Sequence, residues 1–133
     1  LVIQTAFGLE NLALVERPEP TPGPGQVLVR VRAASLNYRD LLIAKGQYNP
    51  KLKLPRVPGS DGAGEVVAAG GGATRFAPGD RVVGCFMQDW DDGPLTDVAV
   101  KSALGGDRDG VLAELVAFEE RGLLPIPGGM SFE

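Results

Sequence analysis

Hydrophobic and polar positions alternate over short runs along most of the chain, and proline or glycine separates one run from the next. The clearest run is "VLVRVRAA" (27–34), where valine alternates with leucine or arginine, a period of two that predicts a half-buried strand. Shorter apolar runs predict further strands at residues 1–5, 12–16, 64–69, 81–86 and 111–118. Many short strands with turn residues between them are typical of a mostly β domain.

The period changes in "SLNYRDLLIAKG" (35–46). Asn37 and Asp40, three residues apart, have the spacing of a helix-capping pair, and Gly46 suits a helix end, so a helix of about two turns is predicted. A second short helix is predicted at residues 96–104, within a polar and acidic stretch. The four prolines of residues 17–25 exclude a helix or a central strand there and indicate an extended linker. These elements favour a partly open β-barrel with one or two short helices.

Composition restricts the classes of function. A chain of 133 residues with 44% hydrophobic and 23% charged residues fits one globular domain. The net charge is −4 and the basic residues are scattered, so no nucleic-acid partner is expected. No apolar run approaches the roughly 18 residues of a membrane span, so no membrane partner is expected either. The single cysteine, Cys85, agrees with a reducing cytoplasm, which is the expected location.

The glycine-rich stretch "VPGSDGAGEVV" (57–67) raises the question of a phosphate-binding loop. Its glycines Gly59, Gly62 and Gly64 are spaced G-x-x-G-x-G, the reverse of the dinucleotide fingerprint, and the sequence after them predicts a strand rather than a helix. We therefore interpret the stretch as a bend in which glycines permit close backbone approach.

Metal binding and nucleophilic catalysis both lack their usual residues. The chain has no histidine and one cysteine, so carboxylates are the remaining strong metal ligands. The acidic cluster Asp89, Asp91 and Asp92 lacks the spacing of a calcium loop and predicts a solvated loop. Ser60 has no histidine to activate it and no G-x-S-x-G motif. Neither a metal site nor a serine nucleophile is expected.

Four blocks of sequence resemble a known family when they are taken in order. They are "PGPGQVLVRVRAASLNYRDLLIAKGQY", "LPRVPGSDGAGEVVAAG", "FAPGDRVVG" and "GVLAELVAF…LLPIPGGMSFE". In this succession they resemble the N-terminal, GroES-like catalytic domain of the medium-chain dehydrogenases/reductases, over residues 1–133. The resemblance is closer to the zinc-independent branch, the quinone-oxidoreductase-like enzymes and related NAD(P)-dependent alcohol dehydrogenases.

The resemblance to the zinc-independent branch depends on two positions. Zinc-type relatives carry a cysteine ligand where this chain has Asn37, and a Gly-His-Glu where it has Gly59, Ser60 and Asp61. In zinc-free relatives the matching asparagine lies beside the nicotinamide, and a tyrosine after the short helix lines the substrate pocket. The resemblance thus implies catalytic roles for Asn37 and Tyr48, cofactor contacts for Asn37 and Tyr38, a pocket rim at Ser60 and Asp61, and no metal.

The resemblance also implies a larger enzyme. A Rossmann domain, absent from this chain, would bind NAD or NADP, and hydride would pass to a quinone, enone or carbonyl substrate. We expect this chain alone to hold no cofactor and to be inactive, and a homodimer is one possibility for the full-length form. Two alternatives stay open: a fragment of an enoyl-thioester reductase, and a non-catalytic GroES-like binding module.

Overall fold

The computed structural model describes all 133 residues. Seven β-strands and two short α-helices make up the fold. The elements in chain order are β1 (Val2–Ile3), β2 (Leu12–Ala13), β3 (Gln26–Ser35), α1 (Tyr38–Ala44), β4 (Asp61–Ala69), β5 (Arg81–Gly84), α2 (Asp97–Val100), β6 (Leu115–Glu119) and β7 (Leu123–Pro125). Single 3₁₀ turns lie at Leu9–Asn11 and Glu120–Gly122.

The strands form two sheets. The larger one has the order β6-β3-β4-β5-β7 with antiparallel pairing throughout, and β1 and β2 form a separate two-stranded sheet. The larger sheet has two edge strands and does not close on itself. The prediction of a mostly β, partly open GroES-like barrel with short helices is confirmed. Neither helix is long and apolar enough to span a membrane.

Two apolar clusters hold the fold together. The larger lies on one face of the five-stranded sheet and joins it to the segments around Phe76, Leu104 and Val111. The smaller cluster packs helix α1 against the two-stranded sheet through Ile3, Ile43, Ala44 and Leu52. Because α1 is only seven residues long, packing of this kind rather than intrinsic propensity stabilises it.

Strand β3 departs from strict alternation. Val27, Leu28 and Val29 are all buried in succession, and alternation with exposed arginines begins only at Arg30. The pairing of β3 with β4 shifts register between Leu28 and Val29, where the unpaired residue lies in β4, and again between Val31 and Ala33. The prediction of a half-buried strand is therefore correct for its second half only.

Strand β4 begins three residues earlier than predicted, at Asp61, so more than half of the glycine-rich stretch is strand. Asp61 pairs with Ser35, and Gly64 pairs with Val31 on one side and Val82 on the other. A Cβ on Gly64 would lie 2.2 Å from the Arg30 carbonyl oxygen. Close approach of neighbouring backbone therefore explains this glycine, as the sequence interpretation proposed, but within a strand.

Several other predicted boundaries were also wrong, and β1, β2 and β5 end earlier than predicted. Strand β6 begins at Leu115, whereas residues 111–118 were predicted; Val111 is buried, and its N–H donates to the Gly59 carbonyl outside any strand. The predicted helix at 96–104 is limited to Asp97–Val100. Thr96 caps it by accepting the Ala99 N–H at 3.2 Å, and a series of turns follows.

Candidate functional site

The start of helix α1 brings the first predicted site residue into place. Asn37 and Asp40 form a capping box, in which the Asn37 backbone N–H donates to Asp40 Oδ2 at 2.9 Å. Asp40 is buried, so its carboxylate anchors the turn between β3 and α1 from the inside. The predicted capping pair is confirmed, and it fixes the point at which the Asn37 side chain leaves the backbone.

Asn37, Ser60 and Asp61 form one hydrogen-bonded cluster, although 22 residues separate Asn37 from Ser60 in the chain. Asn37 Nδ2 donates to Asp61 Oδ2 at 2.6 Å, and Ser60 Oγ donates to the same oxygen at 2.5 Å. A longer contact of 3.4 Å joins Asn37 Nδ2 to Ser60 Oγ. Ser60 is buried, while Asn37 and Asp61 are exposed, so the cluster lies at the surface with Ser60 as its floor.

Tyr48 follows α1 and is held by a residue that sequence reasoning missed. The Arg39 guanidinium lies 4.7 Å from the centre of the Tyr48 ring and 4.7 Å from that of Phe86, which places it between the two rings. Arg39 Nη1 also donates to the Leu104 carbonyl at 3.0 Å. Arg39 therefore links helix α1, Tyr48 and the 88–110 segment.

A small cleft of ≈ 70 Å³ adjoins the stack of Arg39 with Tyr48 and Phe86. Apolar side chains make up most of its wall, and Tyr48 is half exposed beside it. The only signal in the sequence for Arg39 was a charged residue between the expected site residue Tyr38 and the capping residue Asp40, and such a signal does not specify a partner. The partners of Arg39 come from residues 9, 47 and 65 positions away in the chain.

Tyr38, the expected cofactor neighbour, is 75% exposed, and Leu36 is 79% exposed. These two side chains flank Asn37 in the sequence, and neither packs into a core cluster. The structure brings Asn37, Ser60 and Asp61 together by hydrogen bonds. Tyr38 and Tyr48 make no hydrogen bond to that cluster.

The acidic 88–110 segment differs from the predicted solvated loop at one residue. Asp89 is largely buried and forms ion pairs with Arg108 and Arg121, while Asp91 and Asp92 are exposed. The buried Gln88 beside it donates to the carbonyls of Cys85 and Gly122. These contacts tie the segment to the sheet, since a carboxylate with two guanidinium partners can be buried where a lone one cannot.

No group of three histidine, cysteine, aspartate or glutamate side chains converges in a way that could hold a metal ion. The single cysteine, Cys85, is a free thiol. Burial raises the pKa of the Cys85 thiol, Arg75 acts in the opposite direction, and Asp91 adds to the rise.

An open antiparallel sheet with a capped short helix and a polar cluster between β3 and β4 defines a GroES-like domain. Residues 23–128 match the family described as the alcohol dehydrogenase GroES-like domain, and the chain belongs to that family.

Its relatives include a zinc-type alcohol dehydrogenase-like protein of Schizosaccharomyces pombe, 49% identical over 83% of this chain and 32% of the relative. A chloroplastic quinone oxidoreductase of Triphysaria versicolor is 40% identical over 71% of this chain and 29% of the relative. The crystal structure of an NAD-dependent alcohol dehydrogenase superposes with a TM-score of 0.84 at 39% identity, covering 99% of this chain and 40% of that one. The chain thus spans about a third of the length of these relatives.

Proposed function

We propose that this chain is the substrate-side catalytic domain of a zinc-free, NAD(P)H-dependent oxidoreductase that reduces quinones, enones or carbonyls. The observation that supports this proposal is the hydrogen-bonded cluster of Asn37, Ser60 and Asp61. An amide, a hydroxyl and a carboxylate bonded to one another stand where the resemblance puts the ligands of zinc-type relatives. An amide and a hydroxyl are poor zinc ligands, which supports chemistry without zinc.

The cofactor belongs to the part of the enzyme that this chain does not cover. When bound, NAD(P)H supplies a hydride to the electrophilic carbon of the substrate. The residues of this chain fit one side of such a ligand: exposed Leu36 and Tyr38 offer apolar surface next to the polar Asn37. The chain carries no dinucleotide fingerprint, so we propose that it is inactive alone.

The hydrogen bonds restrict which group gives the proton that must follow the hydride. Asn37 Nδ2 and Ser60 Oγ both donate to Asp61, so their donors are already engaged. Tyr38 and Tyr48 are the remaining hydroxyls among the expected site residues, and of these two Tyr48 lies half exposed beside the cleft. We assign Tyr48, with water as the alternative source, as the proton donor to the substrate oxygen or carbon.

Electron-poor substrates fit this arrangement best. Hydrogen-bond donors stabilise a developing oxyanion less than a divalent cation does, so the substrate must accept a hydride without strong polarisation. Quinones and enones meet this requirement better than simple ketones. The similarity to a quinone oxidoreductase of Triphysaria versicolor supports the same substrate class. The free thiol of Cys85 is compatible with a reducing cytoplasm as the place of action.

The test is oxidation of NADPH and NADH by the full-length protein with a benzoquinone, an enone, a crotonyl thioester and a primary alcohol. We expect quinone or enone reduction that a strong chelator leaves unchanged. Preference for the thioester would assign the protein to the enoyl-thioester reductases. Alcohol oxidation that chelation abolishes and zinc restores would overturn the proposal.

Two further measurements address the residues and the chain by itself. Tyr48→Phe in the full-length protein is expected to lower turnover by at least about tenfold, as general-acid catalysis is lost. Trp90→Phe, which changes an exposed aromatic of the acidic segment, is the control. Titration of the isolated chain with NADPH is expected to show no saturation in the micromolar range, and micromolar binding would contradict its proposed inactivity.

A further inference from the structure

Asp61 is an exposed carboxylate that accepts hydrogen bonds from two neutral side chains. Its Oδ2 accepts from Asn37 Nδ2 at 2.6 Å and from Ser60 Oγ at 2.5 Å. None of the ion pairs of the chain includes Asp61. Two neutral donors, both from expected site residues, therefore take the place of a cationic partner. Hydrogen bonds to a charged acceptor are about twice as strong as neutral ones.

The other end of the Asn37 carboxamide is held as well. Ser35 Oγ lies 3.4 Å from Asn37 Oδ1, and Ser35 is the residue of β3 that pairs with Asp61 of β4. The first residue pair at this end of the sheet thus places a hydroxyl beside the amide oxygen and a carboxylate beside the amide nitrogen. Together they select one of the two orientations that an asparagine amide can take by rotation.

We propose that Asp61 is a positioning residue, which turns the Asn37 amide nitrogen inward so that Asn37 meets a ligand as a hydrogen-bond acceptor. This inference rests on the proposed function of Asn37. The number of engaged donors of the Asn37 amide supports this proposal. One Asn37 N–H is directed to Asp61 and the other toward Ser60, while Oδ1 keeps a free lone pair. The matching ligand group is an N–H or O–H donor, such as a primary carboxamide.

Backbone geometry makes Asp61 suited to this task. Asp61 and Ser60 lie at the start of β4, where pairing with β3 fixes the backbone, and Ser60 is 3% exposed. The Asn37 backbone is fixed separately by Asp40. Both partners of the Asn37–Asp61 bond thus stand on ordered backbone, so the bond costs little further conformational entropy.

The first experiment reads the amide orientation directly. In the full-length protein, the side-chain ¹⁵N–¹H signals of Asn37 are compared between wild type, Asp61→Asn and Glu65→Gln. Glu65 lies on the same strand, carries the same charge and is paired with Arg32 at the surface. We expect a separated, downfield amide proton in wild type and Glu65→Gln that is lost in Asp61→Asn. Unchanged Asn37 signals in Asp61→Asn would overturn the proposal whatever the activity is.

The second experiment is a double-mutant cycle on quinone reduction. Asp61→Asn and Asn37→Ala are each expected to lower kcat/KM by about ten- to a hundredfold, which corresponds to one hydrogen bond to a charged group. The double variant is expected to lose no more than Asn37→Ala, because Asp61 acts through Asn37. If the kcat/KM losses of the two single variants multiply in the double variant, the proposal is overturned. Asp61→Glu, which retains the charge and displaces the carboxylate, serves as a second variant if Asp61→Asn folds poorly, and an intermediate loss is expected.

The two experiments separate this inference from the proposed function. If Asn37 signals respond to Asp61→Asn but no hydride acceptor is reduced, the positioning role stands and the oxidoreductase assignment fails. If reduction proceeds but Asn37→Ala leaves kcat/KM unchanged, the assignment stands and the positioning role has no consequence for a ligand, which overturns the inference.

Discussion

Strands β3 and β4 approach each other closely at Gly64, and the substitution Gly64→Ala tests this explanation. A Cβ there would lie 2.2 Å from the Arg30 carbonyl oxygen and 2.8 Å from Val29 Cγ1. Real Cβ atoms essentially never come under 3.0 Å, so β3 and β4 would have to separate by several tenths of an ångström. The obstructing atom belongs to backbone in the middle of a sheet and has no rotamer with which to move aside.

The expected loss of stability follows from the kind of atom that the new Cβ would meet. Overpacking of a core costs typically about 1–3 kcal/mol, and a backbone clash belongs at the upper end, so we expect a loss of about 3 kcal/mol. With a urea m-value of about 1–3 kcal/mol/M, the midpoint of unfolding falls by about 1–3 M. Such a loss is a large part of the roughly 5–15 kcal/mol that stabilises a domain.

Two glycines of the neighbouring turn provide matched controls. A Cβ on Gly71 meets nothing within 4 Å and its φ is not positive, so Gly71→Ala is expected to change stability by less than about 1 kcal/mol. Gly72 also has open space but a φ of 79°, so Gly72→Ala is expected to cost about 1 kcal/mol from backbone strain alone. Equal midpoints for Gly64→Ala and Gly71→Ala in urea unfolding would refute the close-approach explanation.

Two further predictions concern side chains. Arg39→Met removes a guanidinium from between Tyr48 and Phe86 and a hydrogen bond to Leu104, and is expected to destabilise the chain by about 2 kcal/mol in urea unfolding. Arg32→Gln, which removes an exposed ion pair, is the control and is expected to cost less than about 1 kcal/mol; equal losses would show that the stack contributes nothing. Burial raises the pKa of Cys85, so at a pH near the ordinary value the folded chain holds less thiolate, and iodoacetamide is expected to alkylate it more slowly than in the urea-unfolded chain. The difference is expected to narrow as the pH rises above the folded pKa, and equal rates at all pH values would contradict it.

The candidate site shows where sequence reasoning succeeds and where it stops. The family resemblance assigned Asn37, Ser60 and Asp61 to one site, and the spacing of residue types alone identified Asn37 with Asp40 as a capping pair. The direction of each hydrogen bond did not follow, because it depends on the Ser35–Asp61 register across two strands. The ion pairs of Asp89 were missed for the same reason, since their arginines are 19 and 32 residues away.

What the sequence alone determined is local: the period-two runs, the turn residues and the capping pair place the strands and helix α1 along the chain. A period of two reports which side of a strand faces the core, so it is readable without the partner strand. Tertiary structure decided what depends on distant partners: the burial of Leu28, the early start of β4 at Asp61, and the setting of Arg39 between two rings. Each of these is a contact between segments far apart in the chain, and the free energy of such a contact is a property of the pair rather than of either segment.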